Sequence, residues 1–481
     1  MAPARGQGNG AVTEGSPRDA WPHARLIPTA GIRSELERER RASSCPLAVM
    51  HGVPEFGHAL LGELGAPKSP VIETFTEVRF KNGDGKTAIP DGAIVCRRGK
   101  RDWTCLVEVK TGNNDLKGDQ VSGYLDVARE NGFDGVLTIS NQITASVNES
   151  PIALGRQKPK KVSLWHLSWW RILTEAVVRS RHRGISDPDQ AWILRELIHY
   201  LSSEASGTYG FEDMGEHWVT LRKNVAANTL RQNDKATRSG AERWEQFTQY
   251  LCLSLSQELG RPVEATRTPR KQATGERLNE ITSSLTNHGT LDATLRVPDA
   301  VGDLRIHADL RSRQTSISVT VDAPRERRVR SRITWLLRQL DDAPPTLTIE
   351  ARYPYNGSVP ATLSQAKADP DVLLNPQDPK REPREFVLTL MRPMGQKRGR
   401  SEGSFVRDSS AQTIAFYRDL VQNLKAWQAP APKIKSADKH TPAVDGDEPI
   451  EEAWGGEPAV ALQPPENGLP QNTEGVKPAQ P

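Results

Sequence analysis

Between Ala88 and Ile139 the chain sets charged residues into short apolar runs, and this stretch constrains the fold more than any other. It reads AIPDGAIV, a basic turn, TCLVEVKTG, a polar loop, DQVSGYLDVARENG and GVLTIS, the pattern of strand, strand, helix, strand. Strand side chains alternate faces, so Val107 and Val109 share one face while Glu108 and Lys110 share the other. The basic turn is short enough for a hairpin, which would carry Asp91, 17 residues before Glu108, back beside it. Two carboxylates so placed offer the oxygen ligands that hard cations such as Mg²⁺ select. Lys110 would then stand where it can hold a phosphate or an attacking water. The plainer reading of the same residues is an exposed hairpin with a surface ion pair.

Pro90-Asp91, Glu108-Val109-Lys110 and Gln120-x-x-x-Tyr124, in that order on strand, strand and helix, resemble the signature of the PD-(D/E)XK nuclease superfamily, whose fold is restriction-endonuclease-like. The resemblance covers roughly a third of the chain and implies an α/β fold with a mixed sheet flanked by helices. It implies Asp91 and Glu108 as ligands of Mg²⁺ or Mn²⁺, with the Val109 backbone carbonyl completing the shell. Lys110 would position or activate the hydrolytic water, and Gln120 would line the same cleft. The family often adds an acidic group from its first helix. Glu55 or Glu63 would fill that role, Glu55 being preferred for its distance to the first strand. Glu77 is a rival, and a plain surface glutamate is the alternative for each.

At 481 residues the chain should hold two or three domains. Charged residues make up 26%, and no apolar run approaches the roughly 18 residues of a membrane span. The N-terminus lacks a signal-peptide core, so a cytoplasmic protein is expected. Cys45, Cys96, Cys105 and Cys252 form no disulfide framework and no C-x-x-C pair, which suits free thiols, with Cys96 facing Cys105 across the hairpin as the alternative. The net charge is +4, but the last fifty or so residues are acidic, so the rest is more basic and suits a polyanion such as DNA.

In chain order, residues 1–30 are rich in Gly, Pro and Ala and read as disordered. A nuclease-like domain is expected over 31–205. It opens with IRSELERERRA as a solvated charged helix and PEFGHALLGELGA as a helix placing Phe56, Leu60, Leu61 and Leu64 on the sheet. VIETFTEVRF reads as one strand. KNGDGKT reads as a hairpin turn, because Phe80 stands where a phosphate-binding loop needs Gly. Trp165, Trp169, Trp170 and Trp192 could stack bases, but their apolar neighbours favour core packing, and His166 reads as an interior residue.

Residues 206–260 read as a helical connector whose Arg222, Lys223, Arg231, Lys235 and Arg238 are either solvated or in contact with a DNA backbone. An α+β domain follows over 261–428, with three strands, a helix and a strand recognisable. In it Asp299 and Asp309-Leu310-Arg311 faintly echo the first motif, though ordinary strand ends explain them better. The helix beginning RERRVRSR is equally a phosphate-binding face or a solvated one. Residues 429–481 read as a disordered acidic tail.

The expectation is therefore a Mg²⁺-dependent nuclease cutting DNA phosphodiester bonds, in DNA repair, foreign-DNA defence or a stress response. Two other classes stay open. One is a catalytically inactive nuclease fold that binds nucleic acid. The other is a scaffold whose C-terminal domain recruits a protein partner.

Overall fold

The computed structural model describes residues 25–29, 31–81, 87–154, 161–266, 274–325, 327–355, 357–399 and 401–428. Nearly all of 1–30, all of 429–481 and the 82–86 turn lie outside those residues, and with them the expectations placed there. By its contacts the chain divides after Ala429, and every described residue belongs to the unit before that point. That unit is mixed α/β, built on a five-stranded and a seven-stranded sheet with a separate two-stranded one.

The first sheet comprises β1 (Val71–Thr76), β4 (Gly92–Arg98), β5 (Arg101–Val109), β6 (Gly135–Ser140) and β7 (Ser163–Ser168), side by side in that order. Strands β1, β4 and β5 pair antiparallel, whereas β5, β6 and β7 run parallel. The parallel step needs a crossover, which helix α3 (Gly118–Glu130) supplies between β5 and β6. One face carries Leu106, Val136 and Leu164 against Val121, Leu125 and Ala128 of α3. The other carries Val107, Val109, Leu137 and Leu167 against helices α1 (Glu35–Gly52), α2 (Pro54–Glu63), α4 (Trp169–Val178) and α5 (Pro188–Leu201). Both faces are covered, which is why the inner strands are continuously apolar.

Two elements differ from the sequence reading. VIETFTEVRF is not one strand: β1 ends at Thr76, Glu77 takes a left-handed φ of 52°, and β2 (Phe80–Lys81) pairs instead with β3 (Thr87–Ala88). The charged run before Ala42 is a helix with no buried residue, as expected, but it does not end there. It is the first half of the 18-residue α1, capped by the Ser34 hydroxyl, which continues through Pro46 and buries Ala42, Leu47, Val49 and Met50.

The second sheet has seven strands in the order β13-β12-β14-β11-β10-β9-β8, with every pairing antiparallel. They are β8 (Glu264–Ala265), β9 (Thr290–Arg296), β10 (Leu304–Asp309), β11 (Gln314–Asp322), β12 (Thr348–Arg352), β13 (Ser358–Thr362) and β14 (Glu385–Pro393). Its core includes helix α7 (Lys235–Leu259), which inserts Trp244, Phe247, Leu251 and Leu255. The helical stretch 206–260 thus contributes to the second core, and its α7 also contacts α4.

The arginine-rich helix α9 begins only at Val329. Its Arg332 is buried, donating to the carbonyls of Arg325, Arg327 and Pro383 and pairing with Glu382, so it clips loops together instead of facing solvent. Asp299 is exposed and pairs with Arg261, and Asp309 accepts from the Arg311 and Ser312 amides in a tight turn. Neither residue forms a second motif. Cys96 lies opposite Trp103, two pairs away from Cys105, and the four cysteines are free. Among the described residues no helix is long and apolar enough to cross a membrane.

Candidate active site

The β4–β5 hairpin pairs Gly92 with Val107, so the next pair outward is Asp91 and Glu108, on the face that α3 covers. Gly92 makes this start possible: a Cβ there would lie 2.5 Å from Leu47 Cδ1 and 3.0 Å from the Phe75 carbonyl oxygen. Asp91 then takes over as a ladder partner, its Oδ2 accepting from the Val109 amide at 2.7 Å. The Lys110 ammonium stands 2.8 Å from Glu108 Oε1 and 3.7 Å from Glu39 Oε2, and donates to the Val109 carbonyl at 3.1 Å. The Val109 carbonyl therefore already carries one donor. Gln120, in the first turn of α3, donates to the Tyr124 hydroxyl at 3.0 Å, and that hydroxyl donates to the Ile89 carbonyl at 3.0 Å. Asp91, Glu108, Lys110, Gln120 and Tyr124 thus converge on one end of the sheet.

Burial sets the electrostatics. Glu108 is 1% exposed, and burial together with the Asp91 charge pushes its pKa up from 4.5 to about 7, against the pull of Lys110. Asp91 is also raised, by burial first and by the Glu39 charge, while the Val109 amide and Lys110 oppose the shift. Burial works against the Lys110 ammonium, but Glu108, Asp91 and Glu39 outweigh it and hold its pKa above the usual value. The Glu108–Lys110 contact is an ion pair without good hydrogen-bond alignment: among the described residues neither Glu108 oxygen receives an aligned donor.

The acidic side chain that the helical layer brings to Lys110 is Glu39 of α1, held by the Asn114 amide at 2.8 Å. Glu55, the residue expected in that role, lies half-buried in the first turn of α2. Glu63 is turned to Arg171 at 2.6 Å and Glu77 to Arg40 at 3.0 Å. The reason is the length of α1, which crosses β1, β4 and β5 before α2 begins. A signal was present in the sequence. Ala42, Leu47, Val49 and Met50 continue a helical apolar face past Pro46, and following it would have put Glu39 on a packed helix.

The segment after Lys110 is clamped from behind. Trp169 Nε1 donates to the Lys110 carbonyl at 2.9 Å, and the Asn141 amide donates to both the Gly112 and Gly207 carbonyls at 3.0 Å. Asn141 Oδ1 accepts from the Tyr209 amide at 2.7 Å, and the Gly112 amide donates to the Gly207 carbonyl at 2.8 Å. Trp165 and Trp169 are core residues, Trp170 packs on Tyr250, and Trp192 is 44% exposed. His166 is buried with its pKa lowered to about 4 by burial.

The donor set suits a small hard cation: two adjacent carboxylates, one with both oxygens free of aligned donors. Among the described residues no three His, Cys, Asp or Glu side chains form a metal-holding group. A cation here would therefore keep water or substrate oxygens in its shell, as Mg²⁺ commonly does when held by one or two carboxylates. Comparison with protein-family models, curated proteins and solved structures finds no match to this chain.

Proposed function

We propose that the chain is a divalent-metal-dependent nuclease of the PD-(D/E)XK kind, hydrolysing phosphodiester bonds of DNA. The observation that carries the reading is the Asp91–Glu108 pair, half-buried and buried respectively, with Lys110 2.8 Å from Glu108. The order β1-β4-β5-β6-β7, antiparallel then parallel, is consistent with a restriction-endonuclease-like sheet. Asp91 and Glu108 would hold Mg²⁺ or Mn²⁺, which when bound supplies Lewis acidity and lowers the pKa of water. Lys110, kept protonated by three carboxylates, would orient the attacking water or offset charge on the phosphoryl oxygens. Gln120, fixed by Tyr124, would position water or backbone at the same edge. Glu39 keeps Lys110 charged when Glu108 is engaged elsewhere.

A cytoplasmic role in repair, foreign-DNA defence or a stress response fits this chemistry and is part of the proposal. The reading of an inactive nuclease fold draws on the lack of a third acidic ligand among the described residues. One assay separates the two: linear, circular and single-stranded DNA incubated with Mg²⁺ and with a chelator. Cleavage that needs Mg²⁺ and disappears in Asp91→Ala is expected. Asp91→Ala protein cutting as fast as wild type would overturn the catalytic assignment. Salt-dependent binding without metal-dependent cleavage would establish the inactive form.

A further inference from the structure

A cavity of 740 Å³ opens at the same end of the first sheet as the carboxylate pair, two strands away. Parallel β5, β6 and β7 all finish at that end, and Ser168 at the close of β7 lines the cavity together with the loop Thr144–Val147 after β6. Helix α7 of the second core forms the facing wall through Cys252 and Ser256. Ser168 and Val178 both line it, so it runs the length of α4, about 15 Å at 1.5 Å per residue.

Its inner charges are mutually neutralised: Arg171 by Glu63 at 2.6 Å, Arg277 by Glu149 at 2.8 Å, and Glu175 by Arg179 at 2.7 Å. The rim is different. Arg183, Arg261 and Arg296 are exposed there, against Glu264 as the remaining carboxylate of the lining. Arg261 pairs with Asp299 and Arg296 with Asp303, but neither aspartate lines the cavity. Both arginines are at least 60% exposed, and ion pairs so open to water contribute little. A phosphate group, accepting bidentate hydrogen bonds from guanidinium, can displace such partners.

We propose that this cavity seats one strand of nucleic acid running to the Asp91–Glu108 pair, with Arg183, Arg261 and Arg296 holding its phosphates. The class of ligand rests on the nuclease reading; the positions of the arginines and the shape of the cavity do not. Three exposed guanidiniums on one rim fit a chain of phosphates better than a single anion, and a volume of 740 Å³ suits a short single strand rather than a duplex.

The test uses the full chain in chelator, so that nothing is cut, and reads fluorescence anisotropy of a labelled single-stranded oligonucleotide and of the matching duplex. The variant R183A/R261A/R296A should bind the single strand at least about tenfold more weakly, with the slope of log K against log salt shallower by about 2. Duplex affinity should fall by less than about threefold, as should single-strand affinity in the control variant R392A/R407A/R418A, which removes the same charge at exposed positions elsewhere. Unchanged single-strand affinity overturns the proposal, and so does an equal loss in the control or for the duplex. The two readings fail separately. Wild type that binds through these arginines but never cleaves refutes the nuclease and keeps the channel. Wild type that cleaves, with a variant binding normally, does the reverse.

Discussion

Glu108→Gln in metal-free protein should become progressively stabilising, relative to wild type, as pH rises. In the folded chain Glu108 keeps its proton up to about 7, against 4.5 for an ordinary glutamate, because burial and the neighbouring Asp91 charge disfavour the carboxylate. Between those two values the native state binds more protons than the unfolded chain, so wild-type stability falls as pH rises through that window and the loss is complete above it. A displacement from 4.5 to about 7 corresponds to roughly 3 kcal/mol. Asp91, also raised, adds to the loss in the same direction. Glutamine carries no such proton, so the stability difference between variant and wild type should move by roughly 3 kcal/mol in the variant's favour across the window.

Urea denaturation with chelator present, followed through the tryptophan fluorescence of the first core (Trp103, Trp165 and Trp169), measures this at each pH. The opposite sign is what a surface ion pair would give. If Lys110 governed Glu108, its pKa would be depressed, and wild type would gain on the variant as pH rose from acid. A difference that stays flat, or that moves toward wild type, refutes the buried-carboxylate reasoning.

Two further outcomes follow from side chains away from the carboxylates. Asn141→Ala removes both donors to the Gly112 and Gly207 carbonyls and the acceptor of the Tyr209 amide, which should cost about 2 kcal/mol. Because the segment after Lys110 is then looser, the proposed DNA cleavage should show a kcat about tenfold lower with KM little changed. Steady-state kinetics with a matched denaturation curve check this, and a loss of stability with unaltered kcat would deny Asn141 a positioning role. Arg332→Leu leaves three carbonyls without their donor and should destabilise by about 3 kcal/mol or more, with nucleic-acid affinity per folded molecule unchanged. A stable variant with weakened binding would return Arg332 to the role of phosphate contact.

What could be read from the sequence was local. Alternation and a short turn placed Asp91 opposite Glu108, since a hairpin's register follows from its own residues. The crossover helix and the parallel β6 followed for the same reason, from a polar loop, an amphipathic run and GVLTIS. Contacts between distant segments left weaker traces. Glu39 is 52 residues before Asp91 in the chain, and Pro46 interrupts the pattern that would have shown α1 to be buried. Asn141 looks like any loop asparagine until Gly112 and Gly207, both with left-handed φ, turn their carbonyls toward it. In the second half, short strands such as β8 and β13 carry too few residues for alternation to register, so the seven-stranded sheet was legible only in part.

The first sheet supplies its own control for whether the buried charge is incidental. By register Glu108, Thr138 and His166 form one row across β5, β6 and β7, all facing α3 and all nearly inaccessible. Two of the three are satisfied locally. Thr138 Oγ1 donates to the Trp165 carbonyl at 3.0 Å and lies 3.0 Å from His166 Nδ1, while His166 Nε2 meets the Gln142 carbonyl at 2.8 Å. A row that needed polar atoms only for structure would be completed in the same way at its third position. Glu108 instead has a second carboxylate beside it and no aligned donor on either oxygen. Among the described residues its one ion-pair partner is the Lys110 ammonium, 2.8 Å from Oε1. Buried polar atoms are almost always paired, so a carboxylate left with a single misaligned ion pair is the position at which the proposed divalent cation, with its retained water, would bind.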